Sequence, residues 1–310
     1  MAKKVFIDGK AGTTGLRIYE RLEQFEGVEL ISLSEEKRKD KQSRKEALNS
    51  ADIAFLCLPD DAARESVSLI ENENTVVIDT STAHRTLDDW AYGFPELSSA
   101  HREKIKGSKR IAVPGCHASG FISLVYPLVE AGALDGTENL SCFSLTGYSG
   151  GGKKMIAEYE EDPDELLGAP RQYGLTQSHK HLKEMVKISG LQNAPAFCPI
   201  VSNFYSGMEV TVPLFKSDLK NGFDIEKIKE IYKNKYNGPL VKYEENLNEE
   251  GFISAGLLSG KDNMIISVFG NEDRIILTAR YDNLGKGASG AAVECLNIVL
   301  GNEDTYNLEI

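Results

Sequence analysis

Cys116 stands in Val113-Pro-Gly-Cys116-His-Ala-Ser-Gly120, where a short apolar strand passes through a Pro-Gly turn into small residues that open the apolar pattern Phe121–Tyr126. A cysteine at a helix start meets the positive end of the helix dipole, which favours the thiolate and supplies a nucleophile near neutral pH. Unpaired N–H groups in the same turn can stabilise an oxyanion. The chemistry this predicts is attack on an acyl carbon to give a thioester. Cys57 lies in an apolar strand, Cys142 and Cys198 in apolar or Pro-flanked segments, and Cys295 in the tail, so none shares this context. Five widely spaced cysteines without a CxxC pair suggest neither a zinc site nor a redox couple.

Thioester chemistry also needs a proton donor and acceptor, and the histidines are His84, His101, His117, His179 and His181. The pair in Gln177-Ser-His179-Lys-His181-Leu-Lys-Glu184 is the strongest candidate. His181 and Glu184, three apart, share a helix face, where the carboxylate can orient the ring; His179 is the alternative. No neighbouring acid and cysteine set completes a zinc site around these histidines, and no metal is expected. His117 follows the nucleophile directly and projects elsewhere, so it reads as a local hydrogen-bonding residue rather than the base.

A second chemistry sits at the N-terminus. Val5–Asp8 reads as a buried strand, Gly9, Gly12 and Gly15 follow with GxxGxxG spacing, and apolar residues from Leu16 to Phe25 recur at helical intervals. The spacing is one residue longer in its first gap than the dinucleotide fingerprint, and main-chain N–H groups from Gly9 through Gly12, Thr13, Thr14 and Gly15 can receive a pyrophosphate. Such a turn also serves purely steric ends. The second strand, Glu29–Leu33, ends at Ser34 without an acid and is followed by Lys37, Arg38 and Lys39. That setting favours NADP over NAD, with Ser34 and Arg38 near the 2′-phosphate, although Glu35 and Glu36 also fit a solvated loop of mixed charge.

The elements that must position these groups form two sets. Asp52–Leu58, Thr75–Asp79 and Lys109–Val113 continue a series of short apolar strands, which indicates a parallel sheet covered on both faces. From about residue 138 the segments lengthen and alternate, as in 139–145, 208–215, 264–269 and 274–281, which suggests a mixed or antiparallel sheet. The tail begins with small residues at 285–291, becomes an apolar helix and is expected to return to the first domain. The expected division is 1–115 plus 286–310 for a cofactor domain and 116–285 for a substrate and oligomerisation domain.

With 310 residues, of which 41% are hydrophobic and 26% charged, the composition suits a soluble globular protein. Forty-seven acidic against 35 basic residues give a net charge of -12, which offers no broad basic surface for nucleic acid. The apolar run after Lys3-Lys4 is too short for a signal peptide, and no stretch reaches the ~20 apolar residues of a membrane span. A cytoplasmic protein is expected.

Taken in order, Gly9–Gly15, Val113–Gly120, Gly147-Tyr-Ser-Gly-Gly-Gly-Lys153, Ser178–His181 and Asp282-Asn-Leu-Gly-Lys-Gly-Ala-Ser-Gly290 resemble the short type of N-acetyl-γ-glutamyl-phosphate reductase over nearly the whole chain. The resemblance implies a Rossmann-type NADP-binding domain and a mixed-sheet substrate and dimerisation domain, a semialdehyde dehydrogenase-like α/β and α+β architecture. It implies that Cys116 attacks an acyl phosphate, that NADPH reduces the thioester, and that N-acetylglutamate semialdehyde leaves, in arginine biosynthesis. His181 then resembles the family's acid/base, with His179 second. Arg85 is similar to a residue near the family's active site, where its fork would meet phosphate or carboxylate; a surface salt bridge is the other reading. Ser149 and Gly150 resemble a substrate loop, and Asn283 and Gly285 a loop approaching the nicotinamide. A homo-oligomer, dimer or tetramer, is implied. The family's cysteine motif more often reads Asn-Pro-Gly-Cys-Tyr, and here Val113 and His117 take its flanks. Aspartate-semialdehyde dehydrogenase and the carrier-linked acyl-phosphate reductase of lysine biosynthesis are alternatives of the same class. A non-catalytic NADP-binding sensor is the alternative from another class.

Overall fold

A computed structural model describes every residue except Met1 and Asp162. The chain divides into two compact units, residues 1–115 with 288–308, and residues 116–287 with 309–310.

The first unit begins with β1 (Lys3–Asp8), α1 (Thr13–Leu22), β2 (Val28–Ile31), α2 (Lys41–Ser50), β3 (Ile53–Leu56), α3 (Asp60–Ser68), β4 (Val76–Asp79), β5 (Ala91–Tyr92), α4 (Ser99–Gly107) and β6 (Arg110–Ala112). Its six strands pair in parallel in the order β2-β1-β3-β4-β6-β5. Alternate side chains go to opposite faces. Val5, Ile7, Ile53 and Phe55 enter one core, and Phe6, Ala54 and Leu56 enter the other, so both faces are covered. β1 lies between β2 and β3, which makes it the point where strand order reverses, and ligands of such sheets bind at the carboxyl ends there. The run from Ser34 to Glu46, open to reading as a solvated loop, instead enters α2, where Asp40 caps the helix and Arg44 is buried. The two-residue β5 is too short to carry a periodic signal.

The second unit contains α5 (Cys116–Glu130), β7 (Ser141–Gly147), α6 (Gly152–Glu160), β8 (Arg171–Gln172), α7 (His181–Ser189), β9 (Ala196–Ser202), β10 (Met208–Phe215), α8 (Ile225–Lys235), β11 (Val241–Tyr243), β12 (Met264–Gly270) and β13 (Arg274–Tyr281). The seven strands form a mixed sheet, β11-β12-β13-β10-β7-β9-β8, parallel at β11/β12 and β7/β9 and antiparallel elsewhere. Met208, Val210, Val212 and Leu214 of β10, with Ile275, Leu277, Ala279 and Tyr281 of β13, are buried on one face, where α5 packs. The other face leaves Phe143 42%, Phe215 58% and Ile276 41% exposed.

α5 is buried along most of its length, and it contains Pro127, which has no N–H for the carbonyl of Ser123. The Tyr236 hydroxyl donates to that carbonyl at 2.8 Å, and the Tyr232 hydroxyl donates to the next one, on Leu124. Both orphaned and bent carbonyls are thereby satisfied inside an apolar layer, where an unpaired one would cost about 1–3 kcal/mol.

After a π-helical turn at Gly285–Ser289, α9 (Gly290–Leu300) joins the first unit, with Ala291, Val293, Cys295, Leu296 and Ile298 in the same core as Val5 and Ile78. Leu296→Ala should therefore lower the stability of this unit by roughly 2–5 kcal/mol, read as a fall in the urea midpoint with an unchanged slope.

Candidate active site

Cys116 is the first residue of α5 and half-buried. The residues around that first turn come from four further elements of the same unit. His117 is buried, its Nδ1 lies 2.7 Å from Ser144 Oγ on β7, and its Nε2 lies 2.6 Å from the Tyr173 hydroxyl just after β8. The His117 ring lies 5.8 Å from that of His179 and 5.7 Å from that of His181, and these two are 4.7 Å apart. Phe197 of β9 closes the group at 5.3 Å from His117 and 5.2 Å from His179. Three histidines, a tyrosine and the cysteine thus meet at one helix start.

Burial, with His179 beside it, pushes the His117 imidazole down to about 3, so it is neutral and carries one ring proton. Burial and then Lys180 lower His179 as well. His179 also spends Nδ1 as acceptor for the His181 main-chain N–H at 3.2 Å, which ties it to the first turn of α7. His181 and Glu184 are both buried on α7. Burial and then the nearby Cys116 sulfur push the Tyr173 hydroxyl up, so it keeps its proton and acts by hydrogen bonding. Burial also raises two other thiols, Cys57 to about 12 and Cys142 well above the ordinary range, which leaves both inert.

Gln177 holds the loop that carries the histidines. Its side-chain amide donates to the Phe197 carbonyl at 2.7 Å and accepts from the Phe197 N–H at 2.8 Å, in place of a neighbouring strand. Its own backbone is left-handed, φ 54°, a costly conformation for a residue with a side chain.

The loop residues expected near substrate and nicotinamide are brought together within this unit. Asn283 donates from Nδ2 to Ser149 Oγ at 3.0 Å and accepts the Gly207 N–H at 2.9 Å. Gly150 follows Ser149, and a Cβ there would lie 3.4 Å from the same Asn283 amide. Gly285 has a packing reason to be glycine, because a Cβ would fall 1.9 Å from the Lys261 carbonyl oxygen.

In the first unit, Gly9 has φ +92° and a Cβ there would come 2.3 Å from the Cys57 carbonyl oxygen, so strand-to-strand approach demands glycine. Gly12 precedes α1 without a side-chain cap, which leaves the first N–H groups of the helix for an anion. Thr13 Oγ1 is buried and has no hydrogen-bond partner among the described residues, so a ligand oxygen fits there. Thr14 and Gly15 continue the turn into α1. A cavity of about 600 Å³ beside it is lined by Gly9, Lys10, Ser32, Glu35, Arg38 and Lys39, among others. Ser34 is not in that lining; its carbonyl accepts the N–H groups of Lys37 and Arg38 at 3.0 Å each. The chain thus offers a helix start, an orphan hydroxyl and a basic wall, a set that fits a dinucleotide.

Arg85 lies beside the main chain that precedes the Pro-Gly turn. It is buried, donating from Nε to the Val113 carbonyl at 2.7 Å and from Nη2 to the Thr80 carbonyl at 2.8 Å. Its guanidinium braces the main chain before the Pro-Gly turn.

Residues 4–107 match the semialdehyde dehydrogenase NAD binding domain, and residues 116–283 match the semialdehyde dehydrogenase dimerisation domain. N-acetyl-γ-glutamyl-phosphate reductase 2 from Nostoc sp. is 43% identical over 98% of this chain and 99% of its own. The N-acetyl-γ-glutamyl-phosphate reductase of Brucella ovis is 45% identical over 97% and 100%. The chain belongs to the N-acetyl-γ-glutamyl-phosphate reductase family. The fold also superposes on aspartate semialdehyde dehydrogenase II of Vibrio cholerae with a TM-score of 0.74, at 17% identity and covering 97% of this chain and 99% of that one.

In this reductase family member, Ser144, Tyr173, Gln177 and Phe197 belong to the site without any sequence signal that marks them. Ser144 and Tyr173 sit 27 and 56 residues from His117 and Phe197 lies further on, while Gln177 acts through Phe197.

Two outcomes follow from the geometry. Gly9→Ala should weaken dinucleotide binding at least about tenfold, some 1.4 kcal/mol, in a fluorescence titration, because the turn must shift. His117 titrates near 6.5 when unfolded and about 3 when folded, so between these values only the unfolded chain takes the proton. Its stabilising contribution is complete above about 6.5 and is lost as pH falls toward 3. From pH 7 to 5 the parent should lose about 2 kcal/mol more in urea unfolding than His117→Asn.

Proposed function

We propose that this chain reduces N-acetyl-γ-glutamyl phosphate to N-acetylglutamate semialdehyde and phosphate with NADPH, through a thioester on Cys116, as a step of arginine biosynthesis. The observation that carries this reading is the gathering of His117, Tyr173, His179 and His181 at the helix start that bears Cys116.

The Cys116 sulfur attacks the acyl carbon, the C–S bond forms and the carbonyl electrons move onto oxygen. The N–H groups of the α5 first turn, with the Tyr173 hydroxyl, stabilise that oxyanion. As it collapses, the C–O bond to phosphorus breaks and phosphate leaves, with His181 moving the proton. When bound, the reduced nicotinamide supplies the hydride that reduces the thioester. Collapse of the resulting thiohemiacetal expels the Cys116 thiolate and frees the aldehyde, again with His181 handling the proton. His179, tied by Nδ1 to the first turn of α7, orients rather than transfers.

NADP is preferred over NAD because Arg38 and Lys39 line the cavity and no acid closes β2. Arg38 pairs with Glu35 at 3.1 Å on the surface, a contact of about 0–1 kcal/mol that a 2′-phosphate displaces. Five free thiols fit the reducing cytoplasm, and among the described residues no helix is long and apolar enough to cross a membrane. The open face of the mixed sheet, with Phe143, Phe215 and Ile276, is the surface a second copy covers.

With NADP, phosphate and N-acetylglutamate semialdehyde, absorbance of the reduced nicotinamide should rise, and faster than with aspartate semialdehyde; the opposite order would assign the shorter substrate. Cys116→Ser should abolish this while nucleotide binding persists. His181→Asn should lower kcat by about 10²–10⁴, much more than His179→Asn, and the reverse order would exchange their roles. Phe143→Asp with Ile276→Asp should shift the protein toward monomer in analytical ultracentrifugation; an unchanged assembly would place the interface elsewhere.

A further inference from the structure

Tyr281 is the last residue of β13 and is fully buried. Its hydroxyl donates to the carbonyl of Cys116 at 2.5 Å and accepts the N–H of Gly120 at 3.0 Å. In a regular α-helix these two groups bond to each other, residue i+4 to residue i. The same tyrosine oxygen bonds both of these groups, at the first turn of the helix that carries the nucleophile. Gly120 is what admits it: a Cβ there would come within 2.6 Å of the Tyr281 hydroxyl and 2.6 Å of Val210 Cγ2.

We propose that Tyr281 is a positioning residue for Cys116, its hydroxyl clamping the first turn of α5 and fixing the main chain from which the sulfur projects. This rests on the reading of Cys116 as nucleophile. The hydroxyl bonds the Cys116 carbonyl and the Gly120 amide together and so fixes the peptide after Cys116. That peptide carries the N–H of His117, one of the donors available to an oxyanion. The same strand end continues into Asp282–Gly287, and Gly287 packs on the cysteine so closely that a Cβ there would lie 3.1 Å from Cys116 Cβ. The Gly287 N–H is held by the Asp282 carbonyl at 3.0 Å, and Asp282 Oδ1 accepts from Leu284 and Gly285 at 2.6 and 2.9 Å. One rigid strand end therefore sets both the backbone of the cysteine and the wall against it.

Without the hydroxyl, both groups lose their shared partner and the main chain that carries the sulfur can shift by a fraction of an ångström. Displacements up to about 1 Å at a reacting centre cost up to ~10²-fold in rate. In Tyr281→Phe, kcat for semialdehyde oxidation should fall ~10- to 100-fold, with KM for NADP within about twofold of the parent. The rate of iodoacetamide alkylation at Cys116, followed by peptide mass spectrometry at several pH values, should change severalfold, while that of half-buried Cys198 stays constant. Gly120→Ala, which keeps the hydroxyl but displaces it, should give the same kinetic loss, and the double variant should lose no more than the larger single one. Thr278→Val, which removes a 3.2 Å bond from the same strand to the Ser267 carbonyl, is the stability control and should lower Tm with kcat retained.

A Tyr281→Phe enzyme with kcat and Cys116 alkylation within twofold of the parent would overturn the proposal, as would an equal kcat loss in Thr278→Val. If Tyr281→Phe does not fold, a Gly120→Ala enzyme with parental kcat overturns it instead. A parent that turns over no semialdehyde overturns the assigned reaction, and the alkylation rates then decide Tyr281 alone.

Discussion

The site depends on the burial of α5. A helix that is apolar on nearly every side must be packed on nearly every side, and this one lies against β10 and β13 with Phe121, Ile122, Leu124, Val125 and Leu128 inside. Such a helix cannot slide without opening cavities, so its first residue is held as firmly as its core. The cost falls on the main chain, because Pro127 leaves a carbonyl in an apolar layer and the first turn must be fixed where the cysteine leaves it. Tyrosine hydroxyls meet both demands, from Tyr236 at the proline and from Tyr281 at the start. A phenol suits this task, since its ring fills the core while its oxygen reaches one polar group.

A consequence is electrostatic. His117 is neutral at physiological pH, and burial works against charge on His179 as well. The positive field at Cys116 therefore comes from the helix N–H groups and dipole rather than from an imidazolium at either of these rings. These donors are fixed before the substrate arrives and need no reorganisation as charge develops on oxygen, the condition under which an oxyanion site is most effective. It also explains why the ring beside the nucleophile is bonded on both sides, to Ser144 and to Tyr173. A buried neutral imidazole must satisfy one donor and one acceptor, and in doing so it orients the tyrosine.

What the sequence reveals follows from the range over which each feature is encoded. The bounds of β10 and β13 are legible from alternation alone, since one face is buried and the other exposed, and the glycine turn and the Pro-Gly-Cys start are local. β5, β8 and β11 are not, because two or three residues carry no period, and β9 is obscured by Pro199 in its middle. At the site, Cys116, His179 and His181 announce themselves by type and spacing. Tyr173, Ser144, Gln177 and Tyr281 do not, for each acts across the sheet on a residue remote in sequence; the hydroxyl of Tyr281 reaches back 165 residues to the carbonyl of Cys116. Arg85 shows a different kind of gap. An arginine near a candidate site invites an anionic partner, yet main-chain carbonyls before a Pro-Gly turn need donors too, and this guanidinium serves them.

The cofactor end obeys a similar economy. Asp8 closes β1 at the floor of the cavity, where an unpaired carboxylate would repel a pyrophosphate. Arg44 bonds it at 3.1 Å from Nε and 3.0 Å from Nη2, and Ser66 donates at 2.8 Å, while Glu65 takes the remaining edge of the guanidinium at 2.9 Å. A buried pair of this kind contributes little net stability against apolar packing, but removal of either partner would leave a bare charge beneath the turn. Arg44 is thus committed to neutralising the protein's own acids and is not spare charge for the ligand. The charge that distinguishes a 2′-phosphate must come from the more exposed rim, at Arg38 and Lys39, where a surface pair with Glu35 is weak enough to be exchanged. On the proposed reading, binding the dinucleotide and choosing between its two forms would fall to different residues, the first to a closely packed glycine turn and the second to a charged rim.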